Sequence, residues 1–222
     1  MRTEGLSTRA HAARSLHRIL AEGAYSNIVV ANQKDGASLD RALYQRLVFE
    51  TLRYLPSIDE AIGGATPRSI DRIQNEVLSV LRIATAELRY LHRPAHSTVS
   101  ESVEAVKELG KPRAAGFVNG VLRTIARRVD DPVPSDVYAG MPRWLYERLV
   151  GIFGEEADAF IAASNRPPPT GIRSRDGVDR GRSTGVAGTG YVEHEPTVGA
   201  LVAAESIDII DPASVAVVDA LG

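Results

Sequence analysis

The hydrophobic positions of this chain recur at helical spacing through its first 128 residues. Ala12, Ala13, Leu16, Ile19 and Leu20 form one stripe and predict a helix over 7–22. Gly23 stops it, and Ala24–Asn27 reads as a turn. Leu43, Leu47, Val48, Thr51, Leu52 and Leu55 predict a helix over 38–55, broken by Pro56. A short helix over 57–62 ends at Gly63–Gly64. The strongest period is Ile73, Val77, Val80, Leu81, Ala84 and Leu88, a helix over 70–91 that stops at Arg93–Pro94. Thr98-x-x-Glu101 has the form of a capping box opening a helix over 98–109. Pro112 suits the first turn of a helix over 112–128, whose inner face is Ala114, Phe117, Val118, Val121, Leu122 and Ile125. Short connections and no convincing strand make this part an all-α orthogonal bundle.

The pattern then weakens. Asp130–Asp131–Pro132–Val133–Pro134 marks a boundary. Helices over 142–153 and 155–164 follow, ended by Pro167–Pro168–Pro169, and read as a two-helix linker. Residues 170–190 look irregular. Thr197–Ala204 reads as a short helix, Ile207–Ile210 as a short strand, and Asp211 as the cap of a helix running to Leu221. The fold class is therefore mainly α, a helical bundle followed by a two-helix linker and a short irregular α/β tail. The divisions fall at 1–130, 131–169 and 170–222. The tail carries too few large apolar groups to make a good core alone, and reads as the start of a domain whose remainder is missing.

Composition changes the picture in two places. The net charge of −2 conceals an asymmetry: residues 1–128 hold 19 Lys+Arg against 13 Asp+Glu, residues 129–222 hold 7 against 15. A basic half suggests a polyanionic partner. There is no cysteine, which removes disulfides, Cys-ligated metals and thiolate nucleophiles. The N-terminus lacks the apolar region of a secretory signal, and no run is long enough for a membrane helix, so the expectation is a cytoplasmic protein with no membrane partner.

Candidate binding residues come from helical wheels. His11, Arg14 and Arg18 lie together opposite Leu16, whereas Arg9 aligns with Leu16 and reads as ion-paired at the core edge. Arg46, Phe49 and Arg53 share an outward face, where an aromatic between two arginines suits a stacked base and held phosphates. Arg113, Gly116, Gly120, Arg123 and Arg127 share the outer face of the helix over 112–128; the two glycines let another backbone approach, either a protein helix or a nucleic-acid strand. The candidates for RNA contact are Arg14, Arg18, Arg46, Phe49, Arg53 and Arg123. His96, Ser100 and Glu101 do not have the spacing of a catalytic triad. Gly185-x-x-Gly188-x-Gly190 lacks the strand and helix of a nucleotide loop. His194 between two glutamates has no second histidine near it. No catalytic, cofactor-binding or metal residue is assigned.

The strings Arg93–Pro94–Ala95–His96, Ser100–Glu101–Ser102–Val103–Glu104 and Gly116–Phe117–Val118–Asn119–Gly120–Val121–Leu122–Arg123 together resemble the NusB-like RNA-binding fold, as do Thr51–Leu52–Arg53 and Tyr25–Ser26–Asn27. That fold occurs as an antitermination factor and as the N-terminal domain of RsmB-type (Sun/Fmu) 16S rRNA cytosine-C5 methyltransferases. Pro142–Arg143–Trp144–Leu145 and Asn165–Arg166–Pro167–Pro168–Pro169 resemble the linker of the second branch. Ile172–Arg173 resembles the strand opening its small RNA-recognition subdomain, and Asp211–Pro212–Ala213–Ser214 the segment before its methyltransferase core. The resemblance implies RNA binding, with 16S rRNA as partner, and S-adenosylmethionine as cofactor of the full-length family only. Cytosine C5 becomes nucleophilic when a thiolate adds at C6, and this chain has none. The alternatives are a stand-alone antitermination adaptor that meets RNA and ribosomal or Nus-type proteins, and a pure protein-interaction module.

Overall fold

The computed structural model describes residues 6–33, 39–131, 140–165, 169–175, 180–192 and 204–211, with 202 and 214. They form two compact units, 1–165 and 166–222.

The first unit is a bundle around one helix. In chain order it has α1 (Thr8–Ala21), α2 (Ser26–Ala31), α3 (Arg41–Arg53), α4 (Leu55–Ala65), α5 (Asn75–Arg89), α6 (Ala95–Glu108), α7 (Ala115–Arg127), α8 (Arg143–Phe153) and α9 (Ala157–Ser164). Helix α5 packs against α1, α3, α4, α6 and α7. Its residues 77–81 and 83–88 are all buried, so it is enclosed nearly all round. Leu16, Tyr44, Leu47, Ile58, Ile62, Leu81, Ile83 and Leu122 are its fully buried neighbours and members. Burying a side chain of this size contributes about 1.5–3 kcal/mol.

Several ends differ from the sequence expectation, each for a local reason. The stretch 24–27 does not simply turn: Ser26 begins α2. Pro56 starts a helix instead of breaking one, because it lies in the first turn of α4, where its missing N–H costs nothing. That helix runs on through Gly63 and Gly64. The helix expected over 70–91 is divided. Ile70–Arg72 forms a 3-10 turn, Ile73 is extended and buried, and α5 begins at Asn75. The capping box is also corrected. Helix α6 starts at Ala95 after Pro94, and Thr98 lies fully buried one turn inside. Glu101 instead accepts from Arg9.

Arg9 supplies the polar anchor of the bundle. Its Nε and Nη2 donate to the two carboxylate oxygens of Glu87, each at 2.7 Å. Glu87 is fully buried on α5, and the Arg9 side chain is 12% exposed. Arg9 thus sits ion-paired at the core edge, as its wheel position suggested. Burial pushes the Glu87 carboxyl up, while the Arg9 hydrogen bonds and charge pull it down. His11 departs from its expected outward face. It is buried beside Gln33, and burial together with the Arg14 charge lowers its pKa.

Beyond α7, Gly140 takes φ +65, and a methyl group there would overlap the Arg53 carbonyl oxygen. Only glycine fits this approach to the end of α3. Helices α8 and α9 fold back on each other, with Phe153 stacked on Phe160 at 4.2 Å and Gly154 at φ +54 between them.

The second unit corrects the reading of 170–190 as irregular. It holds a four-stranded antiparallel sheet of β1 (Thr170–Ser174), β2 (Arg182–Ser183), β3 (Thr189–Val192) and β4 (Ile207–Ile209), in the order β2-β3-β1-β4. Ile172 sits opposite Gly190 and Ile209, and Ile172, Val192 and Ile207 form a small core. Gly185 and Gly188 both take positive φ in the turn before β3, so the glycine-rich stretch is a loop between strands. The expected helix from Asp211 to Leu221 and most of the one over Thr197–Ala204 lie outside the described residues.

Replacing Arg9 by Ala strands a buried carboxylate. Unfolding should show a loss of about 3–5 kcal/mol at neutral pH. Without Arg9 the Glu87 pKa rises further, so the variant's deficit should shrink as acidification supplies the proton. Melting curves at neutral and mildly acidic pH check both parts; a deficit that grows on acidification contradicts the assignment.

Candidate nucleic-acid interface

Helices α5 and α7 pack together, and this brings the segments leading into them side by side. Arg68 and Arg72 precede α5; Lys111, Pro112 and Arg113 precede α7. These residues line a groove of about 640 Å³ with Gln74, Val77 and Phe117, and no carboxylate lines it. The Arg68 guanidinium lies over the Phe117 ring at 5.0 Å. Such a pair is an aromatic platform with a mobile cation above it. Lys111 reaches Glu76 at 3.1 Å. Glu76 is held below the usual carboxylate range by its own backbone N–H at the start of α5 and by Lys111. Arg72 and Arg113 are exposed and make no ion pair among the described residues.

A second groove, of about 810 Å³, runs between α6 and α7. Val99, Val103, Ala115 and Ala126 give it an apolar floor, and His96, Asn119, Arg123 and Arg127 stand along it. Lys107 is neutralised by Glu104 at 2.7 Å, leaving Arg123 and Arg127 as its open cations.

The residues proposed from the helical wheels fall in three places. Arg18 is exposed, but Arg14 is half-buried, and its Nη2 is shut from solvent with no hydrogen-bond partner. Arg46 is exposed and Phe49 is 40% exposed, so this part of the α3 face is open. Arg53 at its end is drawn away: Nη1 donates to the Asn165 carbonyl at 2.7 Å, and Nε lies 3.8 Å from Glu50. Arg123 stands on the second groove. Helices α1 and α3 do lie side by side, joined by a Ser15–Tyr44 hydrogen bond of 2.8 Å. Sequence reasoning missed the first groove. Its residues lie on two stretches just ahead of helices, and Phe117 counted as an inner-face residue. The usable signal was the pair of basic runs, Arg68–Arg72 and Lys111–Arg113, each placed before a strongly periodic helix.

The model of the "NusB family" matches residues 6–127, more than half of the sequence. The chain belongs to the NusB family. Among curated relatives, the ribosomal RNA small subunit methyltransferase B of Xanthomonas campestris pv. campestris is 34% identical over 171 residues, covering 76% of this chain and 39% of the relative. The protein of the same name from Erwinia tasmaniensis is 31% identical over 170 residues, 74% of this chain and 40% of that one. The chain thus spans about 40% of the length of the curated relatives it matches. A solved structure described as "Crystal Structure of PH0851" covers 94% of this chain and 54% of its own, with a TM-score of 0.53 and 15% identity, a likeness of fold. A complex described as antitermination factors NusB and NusE with dsRNA aligns over 54% of this chain at 27% identity, with a TM-score of 0.47. No helix among the described residues is long and apolar enough to cross a membrane.

The open cations should be separable from the fold. Arg72→Ala with Arg113→Ala should change the free energy of unfolding by no more than about 0.5 kcal/mol while weakening retention on a heparin column. A melting loss comparable to that of Arg9→Ala would mean these arginines are structural.

Proposed function

We propose that this chain is an RNA-binding module corresponding to the amino-terminal part of a small-subunit rRNA methyltransferase B, with 16S rRNA as its target. The observation that carries the reading is the groove of Arg68, Arg72 and Arg113 around Phe117, with Lys111 at its edge paired to Glu76, within a NusB-family domain. Guanidinium groups take phosphate oxygens, and the Arg68 guanidinium plane, seated on the Phe117 ring, offers a stacking surface to an unstacked base. Arg18, Arg46, Phe49 and Arg123 extend the same chemistry over the exposed surface of the bundle. Arg14 and Arg53 are the weaker members of the set, because their guanidinium groups are partly enclosed or engaged. The divisions 1–130, 131–169 and 170–222 are part of this reading, and the cytoplasm, where ribosomal RNA is found, is its compartment.

The role within these 222 residues is binding. Methylation at cytosine C5 needs a thiolate, the sequence holds no cysteine, and the use of S-adenosylmethionine belongs in this reading to the rest of a full-length relative. A Nus-type or ribosomal protein partner fits the antitermination alternative, for which no observation on this chain speaks independently.

The test is a salt-titrated binding assay with single-stranded 16S rRNA fragments. Reversing Arg72 and Arg113 to Glu should weaken binding and reduce the log–log salt slope by about 0.7 per lost phosphate contact. Phe117→Ala should cost about 1–3 kcal/mol of stacking and leave the slope nearly unchanged. Binding that is indifferent to all three changes would end this assignment of the surface.

A further inference from the structure

The two grooves flank the same helix, and the surface between them has been kept bare. At about 100° per residue, Phe117 lies on one flank of the exposed face of α7 and Asn119 on the other, while Arg113 stands in the 3-10 turn just ahead of the helix. Gly116 and Gly120 lie between. Both are exposed, and a Cβ at either would meet nothing within 4 Å. Neither glycine is therefore required by packing inside the chain. A glycine inside a helix is nevertheless unfavourable compared with alanine, and this helix carries two, one turn apart. What their absence of side chain does is lower the ridge that would otherwise separate the groove of Arg72, Arg113 and Phe117 from the groove of Arg123 and Arg127.

We propose that a single strand of RNA occupies both grooves, crossing α7 over Gly116 and Gly120, so that Arg123 and Arg127, further along the same row of the helix, hold phosphates beyond the crossing. The charge pattern favours a polyanion over a protein helix. Arg123 and Arg127 make no ion pair among the described residues, and the Arg127 Nε donates only to the Arg123 carbonyl, at 3.2 Å. The one carboxylate on this groove, Glu104, is already taken by Lys107. Asn119 adds a neutral donor and acceptor beside the crossing. The inference rests on the RNA reading of the first groove and lengthens its footprint.

The experiment compares oligouridylates of about four and about twelve nucleotides, spanning the site sizes usual for single-strand binders, on the whole 222-residue chain. Two double variants are used: Gly116→Leu with Gly120→Leu, and Arg123→Glu with Arg127→Glu. The glycine variant should melt no lower than the parent, since it fills open space and improves helix propensity. Each should weaken the long oligonucleotide about tenfold and leave the short one unchanged. The arginine variant should also lower the salt slope of the long one by about 1.4, two contacts at 0.7 each. If the long oligonucleotide binds both variants as it binds the parent, the crossing is wrong and the second groove is left for a protein partner. Failure of the underlying RNA reading looks different: reversal of Arg72 and Arg113 would then leave even the short oligonucleotide unaffected.

Discussion

A carboxylate with no access to water stands on the central helix of the bundle, and the packing around it follows from the need to hold it. Glu87 on α5 is fully buried, and an unpaired charge there costs several kcal/mol. Arg9 meets that cost with a bidentate pair, and its remaining nitrogen reaches Glu101 on α6. One side chain therefore ties α1, α5 and α6 at a fixed register. A purely apolar contact would tolerate sliding by a residue; two hydrogen bonds of 2.7 Å do not. The bodies of α5 and α6 are thereby held against α1, and the segments between helices emerge from their ends.

Those segments carry the candidate interface. The first groove is made by 3-10 turns and loops ahead of α5 and α7, held at the ends of helices that are themselves clamped in the core. Rigid supports with exposed cations on short connectors give a preorganised surface, so that little ordering remains to be done on binding. The arginines left open at the rim contribute nothing to the fold that the structure records.

The helices were legible because their apolar period is strong and their core positions are filled by side chains from the same stripe; α5 and α7 read almost directly. Ends were less legible. Thr98 and Glu101 have the spacing of a capping box, yet α6 starts earlier because Pro94 sets the backbone and because Arg9, distant in sequence, claims Glu101. No local rule contains that contact. His11 fails for the same reason: a wheel knows one helix, and α1 is covered from several sides. In the second unit Ile207–Ile210 read as a strand and the resemblance gave the one at Ile172–Arg173, while Arg182–Ser183 and Thr189–Val192 were hidden because they are short and rich in glycine and polar residues, and because Thr189–Val192 pairs with the distant Thr170–Ser174. Arg53 is half of each case: its outward direction was correct, but the Asn165 carbonyl that engages it lies 112 residues away.

Charge supports a local, not a global, mode of recognition. The basic excess of residues 1–128 is largely offset within the same compact unit, since residues 1–165 hold 21 Lys+Arg against 20 Asp+Glu. A unit so nearly neutral has little long-range field with which to steer a polyanion. Any affinity such a unit has for a polyanion must come from groups that touch the ligand, and on the two grooves beside α7 the lysines are paired, Lys111 with Glu76 and Lys107 with Glu104, while Arg72, Arg113, Arg123 and Arg127 make no ion pair among the described residues. On the reading proposed above, the salt dependence of binding would count contacts on those grooves and not report the overall charge of the protein. Near neutrality also limits non-specific attachment to other nucleic acids, which grows with net positive charge.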